Sequence, residues 1–246
     1  DLTYAMISSA ENMARLDAIK TELAAIGNGQ TPSPSALENT PAVVWLSYGV
    51  HGNEVTPSDS AIFIAYHLLA AQGDELVDTI LDNTIVVIDA NANPDGRERF
   101  LFHFTSALGM SPRADRYAAE HDEPWPRGRF NHYVFDMNRD WFAITQPESQ
   151  GRVVALQEWH PVVYVDTQKS RQFQLGQNMA SWFDRFGAPY FTREIFDAFY
   201  PGYGDMWPTL NGAIAMTFEQ GSPRGLVFGR RDGTLLTYDE GVRNNV

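Results

Sequence analysis

His51 and Glu54 follow an apolar run, residues 43 to 50, that reads as a buried strand giving way to a loop. An imidazole and a carboxylate three residues apart suit zinc, which in a catalytic site takes three protein ligands and a water. Glu219 follows another apolar run, residues 213 to 218. A carboxylate there is placed to deprotonate such a water while the metal polarises a carbonyl. Arg129, Asn138 and Arg139 form a second group. Guanidinium groups grip carboxylates in two-pronged geometry and stabilise an oxyanion. Plainer readings stand beside these. His51 and Glu54 also suit a surface or supporting pair, Glu219 a structural hydrogen bond, and the arginines a loop held by Asp136 or Asp140.

Four apolar runs must position these groups: residues 43–50, 84–90, 161–166 and 213–218. His51, Asn93, Asp166 with Gln168, and Glu219 all lie at or just beyond their ends. Met13, Leu16, Ile19, Leu23 and Ile26 predict a helix over 9–26, capped by Ser8 or Ser9 and stopped at Gly27. Pro57 opens a second helix to about Ala71, with Ile62, Tyr66, Leu68 and Leu69 available for packing. Further helices are expected at 148–159 and 173–186. Residues 28–41 read as a surface loop, and Asn93-Pro94-Asp95-Gly96 as a turn. Residues 97–135 lack periodicity and read as a long ordered loop region with short helices.

Buried strands alternating with helices predict an α/β fold, a mostly parallel central sheet with helices on both faces. Ligands in such folds bind beyond the carboxyl ends of the strands. His160, just before Pro161, falls at the opposite end of the sheet from His51 and reads as structural. His132 lies near Arg129, where it suits the lining of a cleft or, more simply, a surface or packing role.

The chain has 246 residues, 18 Lys and Arg against 31 Asp and Glu, and a net charge of -13. That length suits one domain over residues 1–246, and the charge argues against a nucleic-acid partner. No stretch reads as a membrane span. The absence of cysteine removes disulfides, thiol nucleophiles and thiolate metal sites. Asp1 in place of Met suggests a trimmed N-terminus, and the ending Asn244-Asn245-Val246 suggests truncation at the C-terminus as well.

The motifs together resemble the zinc metallocarboxypeptidases, peptidase family M14, and more narrowly a bacterial branch with large members. The matching stretches are Gly52-Asn53-Glu54 after His51, Asn93-Pro94-Asp95-Gly96, Phe135-Asp136-Met137-Asn138-Arg139-Asp140-Trp141, Tyr200-Pro201-Gly202-Tyr203-Gly204, and Glu219 with Gln220-Gly221-Ser222-Pro223-Arg224-Gly225. The resemblance implies that His51 and Glu54 are zinc ligands. It implies that Asn138 and Arg139 clamp a terminal carboxylate, that Arg129 stabilises the oxyanion and that Glu219 is the general base. Tyr203 or Tyr200 would be the tyrosine that caps the substrate.

The departure from the pattern is Gln168, which stands where the third ligand histidine belongs. A neutral amide oxygen is a poor zinc donor. The leading expectation is therefore a zinc-dependent hydrolase removing a C-terminal residue, with its zinc held weakly or not at all. The alternative is a metal-poor, catalytically weak homologue that binds peptide C-termini through Arg129 and Arg139. Either way the implied partner is a peptide, or a peptidoglycan-like one, with a free carboxylate. The implied location is secreted or periplasmic.

Overall fold

The computed structural model describes residues 2–165, 172–187, 190, 200–204, 206–217 and 221–246. In chain order the elements are β1 (Ala5–Ile7), α1 (Ala10–Ala14), α2 (Leu16–Gly27), α3 (Pro34–Asn39), β2 (Ala42–Ser47), α4 (Thr56–Ala70), α5 (Glu75–Asn83) and β3 (Thr84–Asp89). Then come α6 (Pro94–Ala107), α7 (Pro147–Trp159), β4 (Val163–Tyr164), α8 (Gln172–Phe186), α9 (Met206–Leu210), β5 (Ile214–Ala215), β6 (Val227–Gly229), β7 (Leu235–Thr237) and α10 (Tyr238–Arg243). Short 3₁₀ turns occupy Ala119–His121 and Met137–Arg139.

The main sheet runs β1-β3-β2-β4-β5. β3, β2, β4 and β5 are parallel, and β1 joins the edge antiparallel to β3. Strand side chains alternate between the two faces. Val43, Trp45, Ile85 and Val87 pack with Ile19 and Leu23 of α2 and with Val153, Leu156 and Trp159 of α7. On the other face Val86 and Ile88 pack with Ala61 and Leu68 of α4 and Val77 of α5. Burial on both faces explains why these strands read as unbroken apolar runs. The result is the expected α/β architecture, a mostly parallel central sheet covered by helices on both sides.

Several boundaries differ from the sequence reading, each for a local reason. The first helix breaks at Arg15 into α1 and α2, and its cap is Ser9, whose hydroxyl accepts from the Asn12 N–H. Within the expected loop 28–41, Ser33 caps Pro34 at the first turn and starts α3. Asn93 does not end in a turn. Its side chain accepts from the Gly96 N–H and opens the 14-residue α6 where a loop was expected. Of the four α4 residues expected to pack, only Leu68 faces the core. Ile62, Tyr66 and Leu69 are exposed, and Phe63 beside them is exposed too. α5 and the β6-β7 hairpin were not anticipated. Asp166, which the sequence places at the end of the third run, lies outside the described residues.

One buried ion pair ties the sheet to α7. Arg152 is 4% exposed and Asp89, at the carboxyl end of β3, is 5% exposed. Arg152 Nε donates to Asp89 Oδ2 at 3.1 Å, and its Nη2 donates to the Ala92 carbonyl at 3.1 Å. Ser47 Oγ, at the end of β2, also donates to Asp89 Oδ2 at 3.2 Å. The guanidinium lies over the Trp141 ring, 5.6 Å from its centroid. Removing one partner of a buried pair strands the other charge. Arg152→Ala is expected to lower stability by about 3–5 kcal/mol in urea unfolding. The paired change Asp89→Asn with Arg152→Met is expected to restore most of that loss.

Candidate functional site

The carboxyl ends of β2 and β3 feed loops that meet at Asn93, a residue only 1% exposed. Its Nδ2 donates to the Val50 carbonyl and to the Arg129 carbonyl, both at 3.2 Å, while its Oδ1 caps α6. One amide thus fixes the residue before His51 and the backbone of Arg129. Gly52 lets the same loop pass against the start of α6. A Cβ there would lie 2.0 Å from the Arg97 backbone nitrogen, a distance no side chain accommodates. Asn53 Nδ2 donates to Glu123 at 2.8 Å and anchors the other flank.

His51 is buried between two carboxylates. Its Nδ1 lies 2.7 Å from Glu54 Oε1 and its Nε2 lies 3.3 Å from Asp136 Oδ1. Burial alone would keep the ring neutral. The hydrogen bonds to Asp136 and Glu54, with the charge of Glu54, outweigh burial and the nearby Arg129 and raise its pKa to about 9. Burial also opposes ionisation of Asp136, but the His51 contact and the Arg129 guanidinium prevail and hold its carboxyl well below the usual range. The two carboxylates thus favour the charged ring at neutral pH, against Arg129 Nη1, which lies 3.3 Å from the same Nδ1 that meets Glu54.

Asp136 is the hub. Its Oδ2 accepts from Arg129 Nε at 2.8 Å, its Oδ1 accepts from the Asn138 N–H at 2.9 Å, and its carbonyl accepts from the Arg139 N–H at 2.9 Å. Asn138 in turn accepts on Oδ1 from the Gly204 N–H at 2.8 Å, and the Trp141 N–H donates to the Gly202 carbonyl. The Tyr200–Gly204 stretch is thereby clipped beside the arginine pair. Arg139 lies over the Tyr203 ring, 4.6 Å from its centroid, and its Nη1 donates to the Asn138 carbonyl at 2.8 Å. Tyr200 packs edge-on against Tyr203. Tyr203 therefore serves here as a platform under the guanidinium.

The structure brings together His51, Glu54, Arg129, Asn138, Arg139 and Tyr203. Gln168 and Glu219, the expected third ligand and general base, lie outside the described residues. Sequence reasoning weighed Asp136 only as a plain partner for the arginines. The signal for its larger role was the Asp136-x-Asn138 spacing of a capped turn, which puts one carboxylate in reach of several donors.

A family model described as zinc carboxypeptidase, peptidase M14, matches residues 6–181. The chain belongs to the zinc carboxypeptidase family. Among solved structures it resembles carboxypeptidase A from Helicoverpa armigera, at 17% identity over 97% of this chain and 70% of that one, with a TM-score of 0.54. It also resembles a metallo-carboxypeptidase from Burkholderia cenocepacia, at 14% identity over 97% of this chain and 67% of that one, with a TM-score of 0.51. At these identities the likeness establishes the fold alone. No curated protein matches the chain.

Membership of the family does not rescue the leading expectation. Among the described residues, no group of three or more His, Asp or Glu side chains is arranged to hold a metal ion. Glu54 and Asp136 sit on opposite nitrogens of the His51 ring, so the three cannot converge on one ion. The zinc-dependent hydrolase reading is corrected accordingly. The described residues form an ion-pair network that spends both ring nitrogens on carboxylates.

That network makes stability depend on pH in a defined window. A histidine whose folded pKa is raised stabilises fully below the unfolded value of 6.5, and the contribution fades as pH rises through about 9. Its size is on the order of 3 kcal/mol, at about 1.4 kcal/mol per pH unit. For Asp136 the folded pKa is depressed, so its contribution is present above 3.8 and is lost in stronger acid. Asp136→Asn is expected to bring the His51 titration, followed by imidazole proton resonances, down by at least one pH unit. The same variant is expected to flatten the loss of stability between pH 6.5 and 9. An unchanged His51 titration would show that Asp136 is not what charges the ring.

Proposed function

We propose that this protein is a metal-poor, catalytically weak member of its family that binds peptides by the C-terminal carboxylate through Arg139 and Arg129. The observation that carries this reading is the state of Arg139. In a chain of net charge -13, its exposed guanidinium is held by a tyrosine ring and a backbone carbonyl. Among the described residues no carboxylate pairs with it. Within the cluster, His51 and Arg129 balance Glu54 and Asp136, which leaves Arg139 as the surplus positive charge.

Arg129 contributes differently. Its Nε is committed to Asp136 and its Nη1 lies 3.3 Å from His51 Nδ1, while its side chain is 35% exposed. Asn138, clipped to Gly204, fixes the backbone from which Arg139 projects. The motifs resemble those of the bacterial branch with large members, and we place the chain there. In that alignment of motifs Gln168 takes the position of the third ligand histidine. A neutral amide at that position supports a site turned toward binding. A short peptide or a peptidoglycan stem peptide would both present the carboxylate this site requires.

Calorimetric titration of short peptides tests the reading. A free C-terminal carboxylate is expected to bind more tightly than the same peptide amidated. Arg139→Ala is expected to cost about 1.5–3 kcal/mol, the range for hydrogen bonds to charged groups. Equal affinity for acid and amide in the wild type would overturn it.

A further inference from the structure

Between Arg129 and Asp136 the chain doubles back in a tightly tethered turn. Phe130 and Asp136 pair as an antiparallel bridge. The Asn131 N–H donates to the Phe135 carbonyl at 3.0 Å, and the Val134 N–H donates to the Asn131 carbonyl at 3.1 Å. The Asn131 side chain, 0% exposed, sits inside the turn. Its Oδ1 accepts from the N–H groups of Tyr133 and Phe135 at 3.0 and 2.9 Å, and its Nδ2 donates to Gln146 at 2.8 Å. From α6, Arg99 donates to the carbonyls of Phe130 and Asn131 at 2.9 and 3.1 Å.

All this anchoring presents an unusual tip. His132, Tyr133, Val134 and Phe135 are four consecutive exposed residues, three of them large and apolar. Val134 has φ of 60°, the left-handed region, which is a strained conformation for a β-branched residue. Strain and solvent-exposed aromatic surface both oppose folding. A turn that served only to connect two segments would place Gly or Asn at that position and polar residues around it.

We propose that this tip is a docking rim for an apolar side chain of the bound peptide, within about four residues of its C-terminus. The proposal rests on the carboxylate reading of Arg139. Its argument is continuity. Phe135 directly precedes Asp136, whose carboxylate holds Arg129 and His51 and whose carbonyl holds the Arg139 N–H. Phe135 and Arg139 are four residues apart, so their Cα atoms are separated by at most about 14 Å. A peptide in extended form covers that span with about four residues. A rim already held rigid loses little entropy on binding, and exposed Tyr and Phe are the side chains that make productive anchors.

The test is a calorimetric series on four peptides, acetyl-Ser-Xaa-Xaa-Ser-Ala with Xaa as Leu or Ser, each as free acid and as amide. In the wild type the Leu acid is expected to bind about tenfold more tightly than the Ser acid, the gain from apolar side chains leaving water. In Tyr133→Ser with Phe135→Ser that gain is expected to vanish while the affinity for the Ser acid stays unchanged. Tyr133→Ser alone gives the same reading if the double variant loses its fold. Equal binding of the Leu and Ser acids to the wild type overturns the rim, as does a Leu gain that survives in the variants. A dimer seen by light scattering and dissolved by the same substitutions would show that the tip faces a second copy, which also overturns it. The carboxylate reading fails separately, if acids and amides bind alike while the Leu gain persists. Absence of binding by all four peptides overturns both.

Discussion

The Asp136 carboxylate is the interaction on which the arrangement depends. It is mostly buried, and burying a charge is costly unless partners surround it. Its partners are Arg129 and the Asn138 N–H from its own loop and the His51 ring, which lies 85 residues away in the chain. Each satisfies part of the carboxylate's demand, and each is thereby fixed. His51 is charged because Asp136 and Glu54 face it, and Arg129 is oriented because Asp136 takes its Nε. The site is a set of mutual electrostatic commitments built on a rigid backbone, with Arg139 left over.

The backbone is rigid for reasons that lie deeper. Asn93 joins the end of one strand, the start of α6 and the carbonyl of Arg129 through a single buried amide. Below it the Arg152–Asp89 pair fastens α7 to the sheet at the level where β2 and β3 end. A polar network of this kind is stable only when every member is satisfied, so a change at one place is felt at several. The chain carries the zinc-carboxypeptidase fold at low identity to the solved structures it resembles, and these polar joints hold that frame where the strands end.

Much of the fold was legible in the sequence because period-two burial on both faces leaves unbroken apolar runs, as in Val43 to Trp45 and Ile85 to Ile88. The helices expected at 148–159 and 173–186 are α7 and α8. The long α6 was not legible, because Asp95, Arg97, Glu98 and Arg99 fill its first turns and Phe100, Leu101, Phe102 and Phe104 then crowd together, which blurs the apolar stripe. The packing face of α4 was misread because apolar residues occur around most of that helix, and periodicity cannot then say which side is buried. At the site, the residue types of His51, Arg129, Asn138 and Arg139 were readable and they do meet. That His51 would be taken by two carboxylates, one on each nitrogen, depends on distances no spacing encodes. Asn131 was missed altogether, since a buried asparagine inside a turn looks like any loop asparagine until its partners are known.

The apolar outer face of α4 has a consequence for how copies of the molecule meet. Ile62, Phe63, Tyr66 and Leu69 stand in solvent on a stretch of chain in which no Lys or Arg occurs between Lys20 and Arg97. Two such faces would stick if brought together, but each approach is also an encounter between like-charged acidic surfaces. That repulsion acts over roughly a Debye length, about 30 Å at 0.01 M salt and about 3 Å at 1 M. Ionic strength therefore sets the range at which this molecule keeps its own copies at a distance, and salt that weakens the repulsion leaves the adhesion intact.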